Sequence, residues 1–347
     1  MNRLRQIALG SLASLTFAGA VHAAVPDPKI LPTEDEVKKA KEKKDASPWD
    51  PGLVFGANLA LSSSNNVVGQ PHGDSISGGI NVLAQLDYLE GKVDWRNSLK
   101  VQEVYSRTPI VPEFVKSVDA LSFESILYYL LSDIAGPFAS FKLDTSIFEG
   151  DDVRAAAVDY TLNGEIIGDD VTRIKLTDGF QPLTMKEAVG VFLGPVTTPE
   201  IELDMRAGFG AMQTFAKGGR IVADDPATTG ACDVAANKCT DLIELAELDD
   251  VIQAGIVIGA EAHGSLDGDH VVYAAHAEVL FPVINDDPQN RDALELANFD
   301  IGAKLSFKLF SFASLDYEMK ILRQPQLVDV WQITNSLYLN FAYTVIE

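Results

Sequence analysis

The sequence predicts an all-β fold: a transmembrane, antiparallel, up-and-down β-barrel of about twelve strands. Three observations predict it. About twelve segments alternate apolar and polar residues, and the links between these segments alternate short and long. Beyond residue 24, no apolar run approaches the ~20 residues that a membrane helix needs. A strand turns successive side chains to opposite faces, so a period of two gives each segment one apolar and one polar face.

The first 23 residues have the pattern of a secretory signal peptide. Arg3 and Arg5 precede an apolar stretch at residues 7–21, and a small-residue cleavage site ends at Ala23. We therefore expect export and cleavage after Ala23. Without the two arginines the mature chain has 27 − 2 = 25 basic and 50 acidic residues, a formal charge of 25 − 50 = −25. Such a surface repels nucleic acid and attracts cations.

Residues 24–48 are predicted to be a separate, charged periplasmic segment. Thr33-Glu34-Asp35-Glu36 forms a capping box, and the helix expected at 37–44 has no apolar stripe. A helix with no apolar face to bury favours a solvated extension. The alternative is that the segment enters the barrel as a plug, and charge alone does not decide between the two.

Residues 49–347 are predicted to form the barrel, with the clearest alternation at 201–215 and 299–310. The predicted strands are 53–63, 75–89, 93–106, 118–131, 137–148, 183–193, 200–215, 251–263, 270–283, 296–310, 311–322 and 328–346. If both termini are periplasmic, the links after even-numbered strands should be short, and they are: 90–92, 132–136, 194–199, 264–269 and 310–311. The outward links 64–74, 107–117, 149–182, 216–250 and 284–295 are long, and only 323–326 is short. This asymmetry is typical of outer-membrane barrels.

The three longest outward links carry adjacent pairs of acidic residues. The pairs are Asp151-Asp152, Asp169-Asp170, Asp224-Asp225, Asp249-Asp250 and Asp286-Asp287. Adjacent carboxylates attract divalent cations, which could bridge them to the anionic headgroups of outer-membrane lipid and lipopolysaccharide. The alternative is that the pairs only keep the loops solvated, because no fixed ligand spacing accompanies them.

Several aromatic residues lie on the apolar faces, most of them toward strand ends, where a bilayer interface favours them. They are Trp95, Tyr105, Tyr129, Tyr273, Tyr317 and Tyr343. The chain ends on Glu347 instead of the aromatic residue that the barrel assembly machinery usually recognises. Since the last strand keeps its apolar face, we expect normal insertion into the outer membrane.

Cys232 and Cys239 are the only cysteines, separated by six residues in a polar stretch. In an oxidising compartment this spacing favours a local disulfide that holds a loop. A redox site or half of a metal site is the alternative, but neither a Cys-x-x-Cys spacing nor a nearby histidine supports it.

The first third of the mature chain resembles an uncharacterised family of bacterial outer-membrane β-barrels, a domain of unknown function. The resemblance rests on Trp49 at the first strand, Asn65-Asn66-Val67-Val68-Gly69, Gly78-Gly79-Ile80-Asn81, Gly91-Lys92-Val93-Asp94-Trp95-Arg96-Asn97-Ser98-Leu99, and the segments 116–129 and 138–150. It implies a location and a fold. It implies no functional residue.

The polar faces of the strands should line the lumen. The charged and histidine residues predicted there are Asp94, Arg96, Lys100, Glu124, Lys142, Asp144, Lys186, Glu202, Asp204, Arg206, Glu261, His263, His276, Glu278, Asp300, Lys304, Lys308, Asp316, Glu318 and Lys320. Both signs occur in similar number, which favours internal pairing or a weakly selective path over strong ion selectivity. Twelve strands are compatible with a narrow pore or with a filled interior.

Four of these residues suggest a sharper hypothesis. Glu261, His263, His276 and Glu278 share the polar parity of adjacent strands and could form a transition-metal site or a pH-sensitive gate. A pairing centred on the expected turn at 264–269, however, sets Glu278 opposite residue 255 and His276 opposite residue 257. That register separates the two groups, so we predict ordinary polar lining, with no metal and no cofactor.

The expected function is passive passage of small hydrophilic solutes through a narrow channel. The alternative is a closed structural or surface barrel that acts through its acidic extracellular loops. An enzyme ranks third, because no Gly-x-Ser-x-Gly, His-Glu-x-x-His or phosphate loop occurs, although a triad assembled from distant residues such as His72 would carry no motif. We therefore expect no enzymatic activity. The sequence gives no oligomeric state.

Overall fold

The computed structural model describes residues 47–64, 73–132, 134–198, 200–223, 242–267 and 270–346, and the regular elements of this part are all β-strands. They are β1 (Trp49–Ser64), β2 (Gly73–Glu90), β3 (Val93–Arg107), β4 (Val115–Tyr129), β5 (Ala135–Thr145), β6 (Gly150–Leu162), β7 (Glu165–Thr177), β8 (Leu183–Thr197), β9 (Glu202–Phe215), β10 (Arg220–Val222), β11 (Leu242–Glu247), β12 (Val251–Leu266), β13 (Val271–Asn285), β14 (Asn298–Phe310), β15 (Ala313–Gln324) and β16 (Val328–Ile346). Among the described residues, no helix is long and apolar enough to cross a bilayer.

Twelve of these strands close into one antiparallel barrel, in the order β1-β16-β15-β14-β13-β12-β9-β8-β5-β4-β3-β2. The predicted closed barrel and its strand number are confirmed. Each predicted segment coincides with one barrel strand, and the boundaries differ by at most four residues, as at Trp49 against residue 53 and Thr197 against residue 193. The match follows from the period-two alternation, which only an extended chain with two different faces explains.

The links between barrel strands differ at the two ends, as predicted. At one end the chain reverses within residues 91–92, 130–134, 198–201, 267–270 and 311–312. At the other end the links are longer, with the single short exception at 325–327. The asymmetry expected of a membrane barrel is therefore present in the fold.

Two of the long links are not simple loops, which corrects the prediction for 149–182 and 216–250. They contain β6, β7, β10 and β11, which form a second sheet in the order β10-β11-β6-β7. Strand β11 pairs in parallel with β6, from Leu242 opposite Asp159 to Leu245 opposite Leu162. Periodicity missed these strands because three pairing irregularities interrupt β6 after Asp151 and because β10 and β11 are short.

Glycine allows β8 and β9 to pack closely at one point of the barrel wall. Gly190 and Gly208 face each other, and a Cβ atom on Gly208 would lie 2.1 Å from the carbonyl oxygen of Val189. A Cβ atom on Gly190 would lie 2.2 Å from the carbonyl oxygen of Ala207. A residue with a side chain would collide with the opposite backbone, so this close approach requires glycine at both positions.

Several predicted features lie outside the described residues. They are the signal peptide at 1–23, residues 24–46 of the charged segment, His72, the pair Asp224-Asp225, and Cys232 with Cys239. The disulfide, the cleavage site and the plug therefore stay predictions.

We predict that Gly208→Ala destabilises the barrel, because its Cβ atom would collide with backbone that cannot move away cheaply. The expected loss is about 1–3 kcal/mol of unfolding free energy. The measurement is guanidinium unfolding in detergent, followed by circular dichroism. Gly259→Ala is the matched control, since its Cβ atom would come no closer than 3.8 Å to a neighbour. Equal unfolding midpoints for Gly208→Ala and Gly259→Ala would contradict the close packing of β8 against β9.

Candidate functional site

The two faces of the barrel differ in chemistry, and the polar face points inward. Outward-facing apolar side chains are exposed, as Phe209 (62% exposed) and Leu337 (63%) illustrate. On the inner face, Asp316 (1%), Glu318 (5%) and Lys320 (3%) are almost completely covered. This arrangement inverts that of a water-soluble protein, whose charged residues are almost never buried. The lumen is therefore where a polar functional site lies.

One group of charged side chains reaches across the lumen. Lys186 Nζ on β8 donates to Asp300 Oδ2 on β14 at 3.1 Å and lies 3.5 Å from Glu278 Oε1. Asp300 Oδ1 also lies 3.6 Å from Lys320 Nζ and 3.4 Å from His276 Nε2. Strands β9, β12 and β13 separate β8 from β14, so the Lys186 contacts bridge non-adjacent parts of the wall. We call these five residues the Asp300 network.

Asp300 is the centre of this network, because its two oxygens meet three nitrogen-bearing side chains. A buried carboxylate without a partner would be costly, and charge-assisted contacts offset that cost. Each partner comes from a different strand: Lys186 from β8, His276 from β13 and Lys320 from β15. The network therefore connects β8 to the opposite stretch of wall and narrows the lumen at this level.

The remaining predicted lumen residues pair within a strand or between neighbouring strands. Their contacts are Lys304 Nζ with Asp316 Oδ2 and Glu318 Oε1 (both 3.1 Å), Arg206 with Glu261 (3.5 Å), His263 with Glu202 (3.3 Å), Arg96 with Asp94 (2.9 Å) and Lys142 with Asp144 (4.0 Å). In register, Glu124 faces Lys142, Asp204 faces Glu261, Lys100 faces Ser122 and Lys308 faces Ser314. Most of these contacts join opposite charges, whereas Asp204 and Glu261 are like charges that face each other beside Arg206.

A cavity of about 50 Å³ lies beside the Asp300 network. Charged residues of both signs line it, including Lys142, Lys186, Arg206, Glu124 and Glu278. A buried water needs roughly 10–15 Å³ of such volume, so the cavity has room for only a few waters. This part of the lumen is narrow and lined largely by polar side chains.

Neutral polar residues belong to the same inner face, and the charge-based prediction missed them. Gln253 is completely buried, and its Oε1 accepts a hydrogen bond from Asn298 Nδ2 at 2.6 Å. Gln324 Nε2 on β15 lies 3.5 Å from Met212 Sδ on β9, which is a second contact between non-adjacent strands. The alternation along each strand would have identified these residues, because every second side chain faces inward and the side chains between them are apolar and face outward.

The predicted register of the histidine strands is wrong. His276 lies directly opposite Glu261, and Glu278 lies opposite Gly259. The error arose because β12 continues to Leu266, so the turn is centred two residues later than expected and the pairing shifts by four. His276 and Glu261 line one small cavity, but their ion-pair contacts lie elsewhere: His276 contacts Asp300, and Glu261 contacts Arg206. In the described part of the chain, no group of three or more His, Cys, Asp or Glu side chains is arranged to hold a metal ion.

The acidic pairs at the long-link end make contacts within the protein. Asp152 Oδ2 accepts hydrogen bonds from Tyr160 Oη at 2.8 Å and from Arg154 Nε at 2.7 Å. Asp250 Oδ1 accepts the backbone N–H groups of residues 216 and 217 at 2.8 and 2.9 Å, and these hydrogen bonds lower the pKa of Asp250. These carboxylates therefore hold their own loops and strands together. Cation binding at the pairs stays a prediction.

Asp287 organises the link between β13 and β14. Its Oδ1 accepts from Arg291 Nη2 at 2.7 Å, and its Oδ2 accepts the Arg291 backbone N–H at 2.9 Å. Arg291 also contacts Asp329 at 3.0 Å, so the guanidinium joins this link to the start of β16. The hydrogen bond from Arg291 holds the pKa of Asp287 below its usual range.

No protein-family model and no curated protein matches the chain. Among solved structures, the chain is similar to an outer membrane channel from Pseudomonas putida F1, with 9% identity over 86% of this chain and 95% of that chain and a TM-score of 0.39. It is similar to the translocator domain of the autotransporter NalP from Neisseria meningitidis (11% identity, 89% and 94% covered, TM-score 0.36). It is also similar to a FadL homologue from Pseudomonas aeruginosa (10% identity, 86% and 82% covered, TM-score 0.35). Values this low carry no argument about function, and the resemblance to an uncharacterised barrel family stays a prediction.

We predict that Asp300→Asn destabilises the barrel by about 3–5 kcal/mol, because Lys186 and Lys320 would lose a buried counter-charge. The measurement is the same guanidinium unfolding in detergent. Asp178→Asn is the control: Asp178 pairs with Lys175 at 2.6 Å on the exposed surface, where such a change costs about 0.5 kcal/mol or less. Equal effects of the two substitutions would contradict a stabilising role for the network.

We predict that the link at 286–297 opens in acid. A lowered pKa means that the Asp287 contribution is present above the ordinary carboxyl range, near pH ~4, and is lost as the pH falls through the lower folded value. Limited digestion with an acid protease, from about pH 5 to about pH 2, should show new cleavage in this link. Asp287→Asn should remove the same protection at the higher pH. Unchanged cleavage throughout would contradict the prediction.

Proposed function

We propose that this chain is an outer-membrane β-barrel that forms a narrow passive channel for small hydrophilic solutes. The observation that carries the proposal is the inversion of the barrel: an exposed apolar outer face surrounds an inner face lined by charged and polar side chains. An apolar exterior of this kind suits lipid, and a polar interior suits water and dissolved solutes.

Solvent contact along the lumen supports a path for solutes. Toward the short-link end, the side chains of Arg96 and Glu202 are 33% and 32% exposed. Within the Asp300 network, Glu278 is 37% exposed. Side chains on the inner wall of a closed barrel keep such exposure only where the lumen holds open space. The Asp300 network then acts as the constriction that limits solute size.

The charge of the lumen supports weak selectivity. Of the twenty predicted lumen residues, eight are lysine or arginine, ten are aspartate or glutamate and two are histidine. A pore with one dominant sign would select ions strongly, whereas these charges largely neutralise one another. We therefore propose a slight preference for cations and passage limited mainly by size.

The proposed surroundings are outer-membrane lipid and lipopolysaccharide, and the proposed insertion partner is the barrel assembly machinery. Exposed large apolar side chains on eleven of the twelve barrel strands support the first, because such a surface in water would aggregate. The short reversals at one end support insertion with that end in the periplasm. We propose no enzymatic role.

A second candidate function is a closed surface barrel that acts through its extracellular elements. The parallel pairing of β11 with β6 favours it, because two separate links join into one sheet with its own buried residues, Val158, Tyr160, Ile243 and Leu245. A sheet of this kind could present a fixed surface without any passage through the barrel.

The first test is single-channel conductance of the folded mature protein in a planar bilayer. We predict small, steady, weakly cation-selective steps. Lys186→Ala should increase the conductance several-fold, because the side chain that reaches across the lumen is removed. Lys175→Ala is the matched control: Lys175 lies on β7 in the second sheet, and its loss should leave the conductance unchanged.

The outcomes separate the two candidate functions. Steady conductance that rises only in Lys186→Ala supports the channel and its constriction. Silence in the wild-type protein and in Lys186→Ala would overturn the channel and favour the surface role. Silence of the full chain with conductance after removal of residues 24–48 would identify that segment as a plug.

A further inference from the structure

The seam that closes the barrel, between β1 and β16, is paired over only part of its height. The ladder runs from Leu53 opposite Ile346 to Leu59 opposite Leu339. Above it, β1 continues for five residues, 60–64, and pairs there with β2. Strand β16 continues for eleven residues, 328–338, along β15. In this part of the chain, the facing edges of β1 and β16 are therefore not joined by a ladder above Leu59.

The register shows what a complete seam would join. From Val54 to Leu59, each step along β1 is matched by one step back along β16, so a continued ladder would set Leu61 opposite Leu337. The other short seam of the wall, between β4 and β5, is bridged differently. There Asp119 on β4 accepts the backbone N–H groups of Ile147 and Phe148 at 2.6 and 2.8 Å. The link that follows β5 therefore covers the upper end of β4.

The free part of the β1–β16 seam lies at the height of the apolar outer face. The part of β16 that would face residues 60–64, at 334–338, lies between two exposed aromatic residues, Trp331 and Tyr343. Twelve residues of tilted strand separate these two, which is about 30 Å in height and close to the ~25 Å apolar band of a membrane barrel. The outward side chains beside the gap are apolar and exposed, as for Leu61 (67%) and Ile333 (61%).

Unpaired backbone at this height has a physical consequence. Backbone N–H and C=O groups without partners are costly in hydrocarbon, so a strand edge persists there only where water or a ligand reaches it. Below the gap, inside the barrel, Asn58 and Asn340 face each other, and both are buried. Polar side chains therefore face the lumen just below the unpaired part of the seam, and apolar side chains face outward beside it.

We propose that the upper part of the β1–β16 seam is a lateral portal, through which the acyl chain of an outer-leaflet lipid or similar amphipathic molecule passes between the membrane and the upper lumen. The apolar side chains at the edges suit the acyl chain, and the polar inner face suits a headgroup. The portal rests on the proposed membrane location. It is independent of axial conductance through the Asp300 network.

The first experiment compares two pairs of engineered cysteines in a Cys232→Ser, Cys239→Ser background. Ala57→Cys with Phe341→Cys spans the paired part of the seam, and Leu61→Cys with Leu337→Cys spans the free part. All four positions face outward. The second pair lies four residues further along each strand than the first, so in a continuous ladder both pairs would have the same Cα–Cα geometry. A disulfide needs Cα atoms within about 7 Å. After mild oxidation in lipid vesicles, we expect the first pair to lose its thiols and the second pair to keep them.

The second experiment tests whether lipid enters. A bimane fluorophore on Ala60→Cys, at an inward-facing position beside the gap, is placed in phosphatidylcholine vesicles with brominated or ordinary acyl chains. We expect bromine to quench this label several-fold more than a label on Val54→Cys, which faces inward on the same strand within the paired part. The matched position controls for quenching through the wall.

The results decide the proposal. Oxidation of the Leu61–Leu337 cysteine pair as fast as the Ala57–Phe341 pair, or equal quenching at positions 60 and 54, overturns the portal and leaves the membrane location intact. A chain that does not associate with vesicles overturns the membrane location and the portal together. The portal proposal does not depend on whether the barrel conducts ions along its axis.

Discussion

The antiparallel ladder between β1 and β16 is the interaction on which the rest of the structure depends. A sheet whose first and last strands pair has no free edge, and only such a sheet satisfies its backbone inside a membrane. Closure also divides the side chains of every strand into an inner and an outer set. The same ladder ends at Leu59 and Leu339, although both strands continue beyond these residues.

Once the sheet closes, the polar faces of twelve strands share a confined interior, and their charges must find partners there. Asp300 shows how this is achieved: lysines from β8 and β15 and a histidine from β13 surround one carboxylate. A buried charge is tolerated only when it is paired and hydrogen-bonded. The pairing that stabilises these buried charges also narrows the lumen, because Lys186 reaches across it to Asp300.

The two ends of the barrel serve different purposes. At one end, short reversals bring neighbouring strands together and fix the register. At the other end, the links before and after β8 and β9 are long enough to form a sheet of their own, held by Val158, Tyr160, Ile243 and Leu245. Acidic residues at this end hold neighbouring backbone segments by hydrogen bonds, as Asp250 does by accepting the N–H groups of residues 216 and 217. Negative charge at this end therefore contributes to order as well as to solubility.

The positions of the barrel strands, their number and the side chains that share a face follow from the amino-acid pattern alone, because a period of two is a local property of an extended chain. The sequence also indicated the asymmetry of the links. The tertiary structure decided which charges meet: Lys186 reaches Asp300 because the stagger between strands accumulates around the barrel, and no single hairpin records that sum. It likewise decided that β11 pairs with β6, because the two segments are distant in sequence and too short to show a pattern. The register of β12 with β13 was misjudged for a related reason: β12 continues to Leu266, which moves the centre of the turn by two residues and shifts every pair by four.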